Sequence, residues 1–373
     1  MHPASELAAR LAAGLVAQQL SPQAAAHRFA LARDVVTTAQ GREPLRAALV
    51  VGSTALQRCS PRADIDVVLI LDKATDRPAF DSLDVEDVHV EIERLTCAQA
   101  LSLTAGDGWI WELRSAARLG CGLPVFDPAG FAARLRDSAA AQRPDPEAWE
   151  STLRDVYLGL TALGRQATLR PDHGETLRSV VDSLTVLVLL ANPRRYQKPK
   201  WALADLVHAG ELALVELVLG SYAIHSDDEA AARGAIGHTK ALVAALYPAI
   251  GLPAHEALLA MGHAPRFSEA SYVSRTLDDA EDLAASGRRV EAQYVARLAA
   301  RLAAALVCPL RDSGTALERL EGLAPHIAAL YADAFADLPP PRREQLEAAL
   351  EVAHRLLDAA PQQPSTVHAG DAA

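Results

Sequence analysis

Lysine is nearly absent from this 373-residue chain. Only Lys73, Lys198, Lys200 and Lys240 occur among 36 basic residues, so arginine supplies almost all of the positive charge. Basic residues are themselves outnumbered by 47 acidic ones, for a formal net charge of −11. That balance argues against a long nucleic acid as partner, because phosphate binding needs a basic field. It accommodates a cationic small substrate, although an acidic balance is also the ordinary state of soluble proteins. Cysteine is scarce: Cys59, Cys97, Cys121 and Cys308 form no C-x-x-C pair. A disulfide framework and a zinc site are both excluded, and reduced thiols in a cytoplasmic protein are expected. Long hydrophobic runs are missing too. The longest, residues 184–191, is interrupted by Thr185 and falls far short of the ~20 residues that span a bilayer. The first residues carry no basic stretch followed by an apolar core, which argues against a secretory signal. No membrane partner is expected.

What the chain has in abundance is alanine and leucine, within a composition that is 50% apolar and 5% aromatic. This favours helix over sheet, and the length suffices for two domains with well-buried cores. Helical spacing of apolar residues marks residues 6–20. Ser21-Pro22 then supplies a cap and a first-turn proline for a second helix ending near Gly41. The texture changes at Leu45. Leu49-Val50-Val51 reads as a buried strand, residues 64–71 as a second, and residues 87–93 as a third with alternating faces. Helices are expected at 98–103, 110–119 and 128–141, with a short extended piece at 124–126. Pro144 and Pro146 mark a boundary, beyond which the pattern is helical to about residue 360. Residues 176–190 are apolar nearly all round, as expected of a central helix. Ser226 and Glu229 fit a capping box. The expected fold is α+β: N-terminal helices (1–43) packed on a small mixed sheet domain (44–143), then a large helical domain (144–360). A disordered polar tail (361–373) is expected to follow.

One constellation carries chemistry. Gly52-Ser53 is followed, after ten intervening residues, by Asp64-Ile65-Asp66-Val67. On a strand, residues two apart project from one face, so both carboxylates aim at one spot. Such a pair repels itself unless a divalent cation intervenes, and oxygen ligands suit Mg²⁺ or Mn²⁺. Gly52 and Ser53, at a strand-to-helix turn, offer backbone N–H groups and a hydroxyl to the phosphates of a nucleoside triphosphate. A third carboxylate comes from the next strand, where Glu91 and Glu93 share a face. Glu91 is favoured because Val90 and Ile92 fix its direction, whereas Glu93 abuts Arg94. It would act as metal ligand, general base, or both.

The run Val51-Gly52-Ser53-x10-Asp64-Ile65-Asp66-Val67, with Val90-Glu91-Ile92 downstream, resembles the nucleotidyltransferase superfamily of DNA polymerase beta type. Within it the likeness is to the small-molecule branch, which includes aminoglycoside nucleotidyltransferases. It covers roughly residues 45–130, including Val125-Phe126-Asp127-Pro128. The resemblance implies two Mg²⁺ ions, a helical domain forming the other wall of the site, and transfer of a nucleoside monophosphate with loss of pyrophosphate. Leu56 and Gln57 replace an Arg-Gly frequent in that family, and Ala63 replaces a serine.

Two of the four lysines fall in Lys198-Pro199-Lys200-Trp201, just after Arg194-Arg195-Tyr196. In an arginine-rich chain this marks a place where a compact ammonium is wanted. The segment is similar to a Tyr-x-x-Lys-Trp stretch in helical domains of the family, which implies that Lys200, then Lys198, contacts the triphosphate. The bland readings are a solvated helix end for these lysines, core packing for Trp201, Tyr272 and Tyr294, and an exposed strand residue for His89. The acidic runs at 227–229 and 278–282 read as first-turn helix residues. The expected activity is Mg²⁺-dependent transfer of AMP from ATP to a hydroxyl of a small molecule. The alternatives are nucleotidylation of a protein target and a non-catalytic nucleotide-binding module.

Overall fold

A computed structural model describes residues 3–14, 22–56, 63–170, 173–192, 198–261, 268–307, 316–335 and 340–360. The expected cap at Ser21, Gln57, Cys59, the stretch 194–196, Cys308 and the expected tail at 361–373 lie outside the described residues.

The chain opens with α1 (Pro3–Gly14) and α2 (Pro22–Gln40), followed by β1 (Leu45–Val51) and the one-turn α3 (Gly52–Ala55). Next come β2 (Ile65–Leu71), β3 (Phe80–Val85), β4 (Val88–Thr96), α4 (Cys97–Leu103), α5 (Ile110–Gly120), β5 (Leu123–Phe126) and α6 (Phe131–Ala141). The rest is helical. It comprises α7 (Pro146–Gly164), α8 (His173–Ala191), a 3₁₀ turn (Pro199–Trp201), α9 (Ala202–His208), α10 (Leu212–Ser221), α11 (Glu229–Ala249) and α12 (His255–Ala260). It ends with α13 (Ser268–Ala285), α14 (Arg289–Ala305), α15 (Ala316–Leu323), α16 (Pro325–Ala334) and α17 (Arg343–Asp358). The α+β architecture is as the sequence led one to expect, and no described helix is long and apolar enough to cross a membrane.

The five strands run in the order β3-β4-β2-β1-β5. β2 and β4 are parallel, and the other neighbours are antiparallel. Strand parity sorts the side chains onto two faces. Ile65, Val67, Leu69, Val90 and Ile92 pack under Leu31, Val35 and Val36 of α2. Leu49, Val51, Val68, Ile70 and Leu95 pack on the other face against Leu119, Phe131 and Leu135 of α5 and α6. A third core fills the helical region and also takes in Leu113 of α5, so α5 belongs to both halves. α8 is central there, with eleven of its residues buried, two of them the polar Arg178 and Thr185.

Several expectations need correction. β3 was not anticipated: it is an edge strand with almost every side chain exposed, so it leaves no burial pattern to read. Glu86 and Asp87 close its hairpin with β4 at φ of 49° and 64°. Asp64 precedes β2 instead of starting it. α6 begins three residues later than expected, because both carboxylate oxygens of Asp127 accept from the amides of Phe131 and Ala132. α11 is capped by Asp228, which accepts from the Ala230 amide, and not by Ser226. The two N-terminal helices have different partners: α2 lies on β1, β2 and β5, whereas α1 lies on α9 and α10. Ser5 donates to Glu216 at 2.8 Å from that position.

One buried ion pair ties the entry to β1 to the middle of β4. Arg94 donates from Nε and Nη2 to the Glu43 carboxylate, at 2.9 Å for the closest pair, and from Nη1 to the Pro78 carbonyl at 3.2 Å. Both residues are 7% exposed. Replacing Glu43 by Ala leaves the Arg94 charge buried and is expected to destabilise the fold by about 3–5 kcal/mol in urea melts. The double variant Glu43→Leu/Arg94→Met should recover most of that loss. A double variant as unstable as the single one contradicts the account.

Candidate metal centre

The register of three strands builds the site. Asp66 lies opposite Val51 on β1 and opposite Glu91 on β4. Its parity matches Val68 and Ile70, and that of Glu91 matches Leu95, so both carboxylates emerge on the sheet face covered by α5 and α6. Asp64 joins them from the residue before β2. Ligand oxygens of Asp64, Asp66 and Glu91 all lie within 4.8 Å of one another. Among the described residues this is the one such group of metal-ligating side chains.

The backbone at this end of the sheet is held tightly. Arg28 of α2, 5% exposed, donates through Nη1 to the carbonyls of Ala63 (2.8 Å) and Asp64 (3.3 Å). Thr54 donates to the Asp64 carbonyl at 3.4 Å. Gly52 is required twice over. Its φ is +65°, and a Cβ there would overlap Oδ2 of Asp66 and approach its Cγ to 3.1 Å. The chain must come this close for the Gly52-Ser53 turn to border the carboxylates, and only glycine permits it. Ser53, 5% exposed, follows in the single turn of α3.

Positive charge reaches the site from three directions. Burial pushes the Asp66 carboxyl above its ordinary value, Lys198 opposes that shift, Asp64 adds to it, and Arg118 and Lys200 oppose it. Glu91 is raised likewise by burial, with Asp64 and Asp66 adding and Arg275 and Lys198 opposing. Lys198 and Lys200 thus face the carboxylates. Lys200 is largely buried and ion-paired with Asp279 of α13. Burial lowers its affinity for a proton, but Asp279, Asp64 and Asp282 outweigh this, so it stays charged.

Sequence reasoning chose Glu91 over Glu93, and the structure separates the two: Glu93 pairs with Arg118 of α5. His89 hydrogen-bonds Asp84 at 2.8 Å, away from the carboxylates. Trp201 and Tyr294 are buried. Tyr272 instead meets the edge of Trp111 on α5, ring centroids 5.2 Å apart, with Arg114 over both rings. Trp111 is 56% exposed. Sequence reasoning missed Arg28, Trp111, Arg114, Arg118 and Arg275, and it read Asp279 as a first-turn helix residue, whereas Asp279 lies well inside α13. The spacing 111-114-118 on α5 and 272-275-279 on α13 places each set on one helix face, the only signal that could have found them. Of the acidic run on α13, Asp278 pairs with His255, Asp279 with Lys200 and Glu281 with Lys240.

No protein-family model matches this chain, and no curated protein matches it. The likeness to nucleotidyltransferases rests on the residues alone.

The donor set fits a hard divalent cation. All three ligands are carboxylates, their mutual repulsion and burial raise two pKa values, and a dication relieves both. A raised carboxyl pKa means that the folded state binds protons more tightly than the unfolded one. The corresponding stability is present below the ordinary carboxylate range of about 4 and lost as pH rises through the raised values. Cation-free protein should therefore melt at lower temperature as pH rises above that range. Mg²⁺ at neutral pH should restore the loss, and Asp66→Asn should weaken both effects, leaving the part that Glu91 contributes. Equal Mg²⁺ stabilisation of Asp66→Asn and the parent chain would exclude Asp66 as a ligand.

Gly52→Ala tests the close approach. The left-handed backbone alone makes it about 1–2 kcal/mol less stable. Displacement of Asp66 should weaken Mn²⁺ binding, measured by calorimetry, at least tenfold. Unchanged Mn²⁺ affinity would show that the turn does not set the carboxylate's position.

Proposed function

We propose that this chain is a Mg²⁺-dependent nucleotidyltransferase that moves a nucleoside monophosphate, AMP from ATP, onto a hydroxyl of a small molecule. The observation that carries this reading is the convergence of Asp64, Asp66 and Glu91 beside the glycine turn at Gly52. A carboxylate set next to a phosphate-sized turn, ringed by Lys198, Arg118 and Arg275, suits a polyanion that arrives with its cations.

Asp64, Asp66 and Glu91 would hold the cations, which when bound neutralise charge on the triphosphate and lower the pKa of an oxygen nucleophile. The Gly52 and Ser53 amides and the two lysines would receive the β- and γ-phosphates. Lys200 must exchange Asp279 for phosphate to do so, and Lys198 needs no such exchange with an ion-pair partner among the described residues. The acceptor hydroxyl oxygen forms a bond to the α-phosphorus, and the bond from that phosphorus to the bridging oxygen breaks. Pyrophosphate leaves, and the hydroxyl proton passes to the Glu91 carboxylate. The Trp111–Tyr272 edge and Arg114 lie on the two helices that flank this cleft and offer a planar face to a base or an acceptor ring.

The test is pyrophosphate release from each nucleoside triphosphate with Mg²⁺ and a panel of hydroxylated acceptors. Asp66→Asn should abolish turnover, and Glu91→Gln should lower kcat roughly 10²–10⁴-fold with little change in the KM for ATP. Full activity in Asp66→Asn sinks the proposal.

A further inference from the structure

In the helical half, α8 carries a buried arginine with two of its three nitrogens unpaired. Arg178 is 5% exposed, yet its Nε and Nη1 have no hydrogen-bond partner. Its guanidinium lies over the ring of Phe335 at 4.7 Å, a contact that attracts the cation and leaves these donors unserved. The second arginine of this region, Arg301 of α14, is fully committed by contrast. It pairs with Asp182, and it donates to Tyr222 Oη at 3.1 Å and to Ser179 Oγ at 2.9 Å. Two buried guanidiniums therefore lie near one half-buried carboxylate, Asp182, and that carboxylate is taken by Arg301 and Tyr222. Tyr331, Tyr222 and the half-buried Glu175 one turn earlier favour the Arg178 cation without offsetting its burial. Burial and the Arg301 charge both work against the Arg178 cation.

The surroundings are shaped for a ligand of opposite charge. A long side chain on a helix points back toward the helix start, which brings Arg178 against the first turn of the 19-residue α8. That turn carries the positive end of the helix dipole. The residue four places before Arg178 is Gly174, where a Cβ would come within 3.1 Å of Nη1. Glycine lets the guanidinium lie this close to the first turn.

We propose that Arg178 and the first turn of α8 form a second ligand site, one for an oxyanion, the carboxylate or phosphate group of a small molecule. It is separate from the cation centre: thirteen residues of α8, about 20 Å of helix, lie between Arg178 and the end that Lys198 follows. The oxyanion would accept from Nε and Nη1 in the bidentate manner that a guanidinium fork favours, and would neutralise the excess buried charge.

The experiment is thermal unfolding of the full chain titrated with inorganic phosphate or with acetate, at constant ionic strength against chloride. Saturable stabilisation by one of them is expected, and the effective anion identifies the ligand class. Arg178→Gln should raise the half-saturating concentration at least tenfold. Arg178→Lys keeps the charge, loses the fork, and should also bind more weakly. Without added anion, Arg178→Met should melt above the parent chain, because an uncompensated buried cation is gone. Lys198→Ala/Lys200→Ala should respond like the parent. The proposal is overturned if the parent shows no saturable response, if Arg178→Gln responds as the parent does, or if the double lysine variant loses the response. None of these readouts depends on nucleotidyl transfer.

Discussion

The approach of the Gly52 backbone to the carboxylate of Asp66 is the constraint around which the sheet half of this protein is arranged. It brings a turn lined with amides next to an acidic side chain, with no Cβ between them. β1 must end at Val51, opposite Asp66, and β4 must set Glu91 on the other side of the same residue. Arg28 reaches across from α2 to hold the carbonyls just before β2, and this fixes where Asp64 can lie. A shift of one residue in either register would turn a carboxylate to the α2 face, into Val67 and Ile92.

Holding three carboxylates this close is electrostatically unfavourable in the protein alone. Two of them respond with raised pKa values, for which burial is the first cause and their neighbours the next. The surrounding cations moderate the repulsion without cancelling it, since Arg118 is also paired with Glu93 and Lys200 with Asp279. A site in this condition gains most from a small dication, which meets all three ligands at once. The helical half shows a different imbalance at Arg178, a buried guanidinium with Nε and Nη1 unpaired.

How far this was legible follows from how each feature is encoded. Alternating and continuous apolar runs revealed β1, β2, β4 and the central helix, because burial of one or both faces writes itself into the sequence. The exposed β3 wrote nothing. Asp64, Asp66 and Glu91 could be singled out because the strand period of two turns a spacing into a common direction. The unusual lysines at 198 and 200 stood out only against so many arginines. By the same reasoning no single arginine could stand out, so Arg28, Arg118, Arg178 and Arg275 were invisible until their surroundings were known.

The sequence by itself determined the α+β class, the order of strand, glycine turn and acidic strand, and the residues that supply the carboxylates. These are properties of short stretches, in which propensity and periodicity act over a few neighbouring residues. Tertiary structure alone decided that Glu93 is tied to Arg118, and that α1 and α2 have different partners. It also decided that Lys200 pairs with Asp279, and that Nε and Nη1 of Arg178 are left without a hydrogen-bond partner. Each of these depends on which charges and faces meet across long sequence separations. Their energies are set by burial and by distances between elements, and neither quantity exists until the chain has folded.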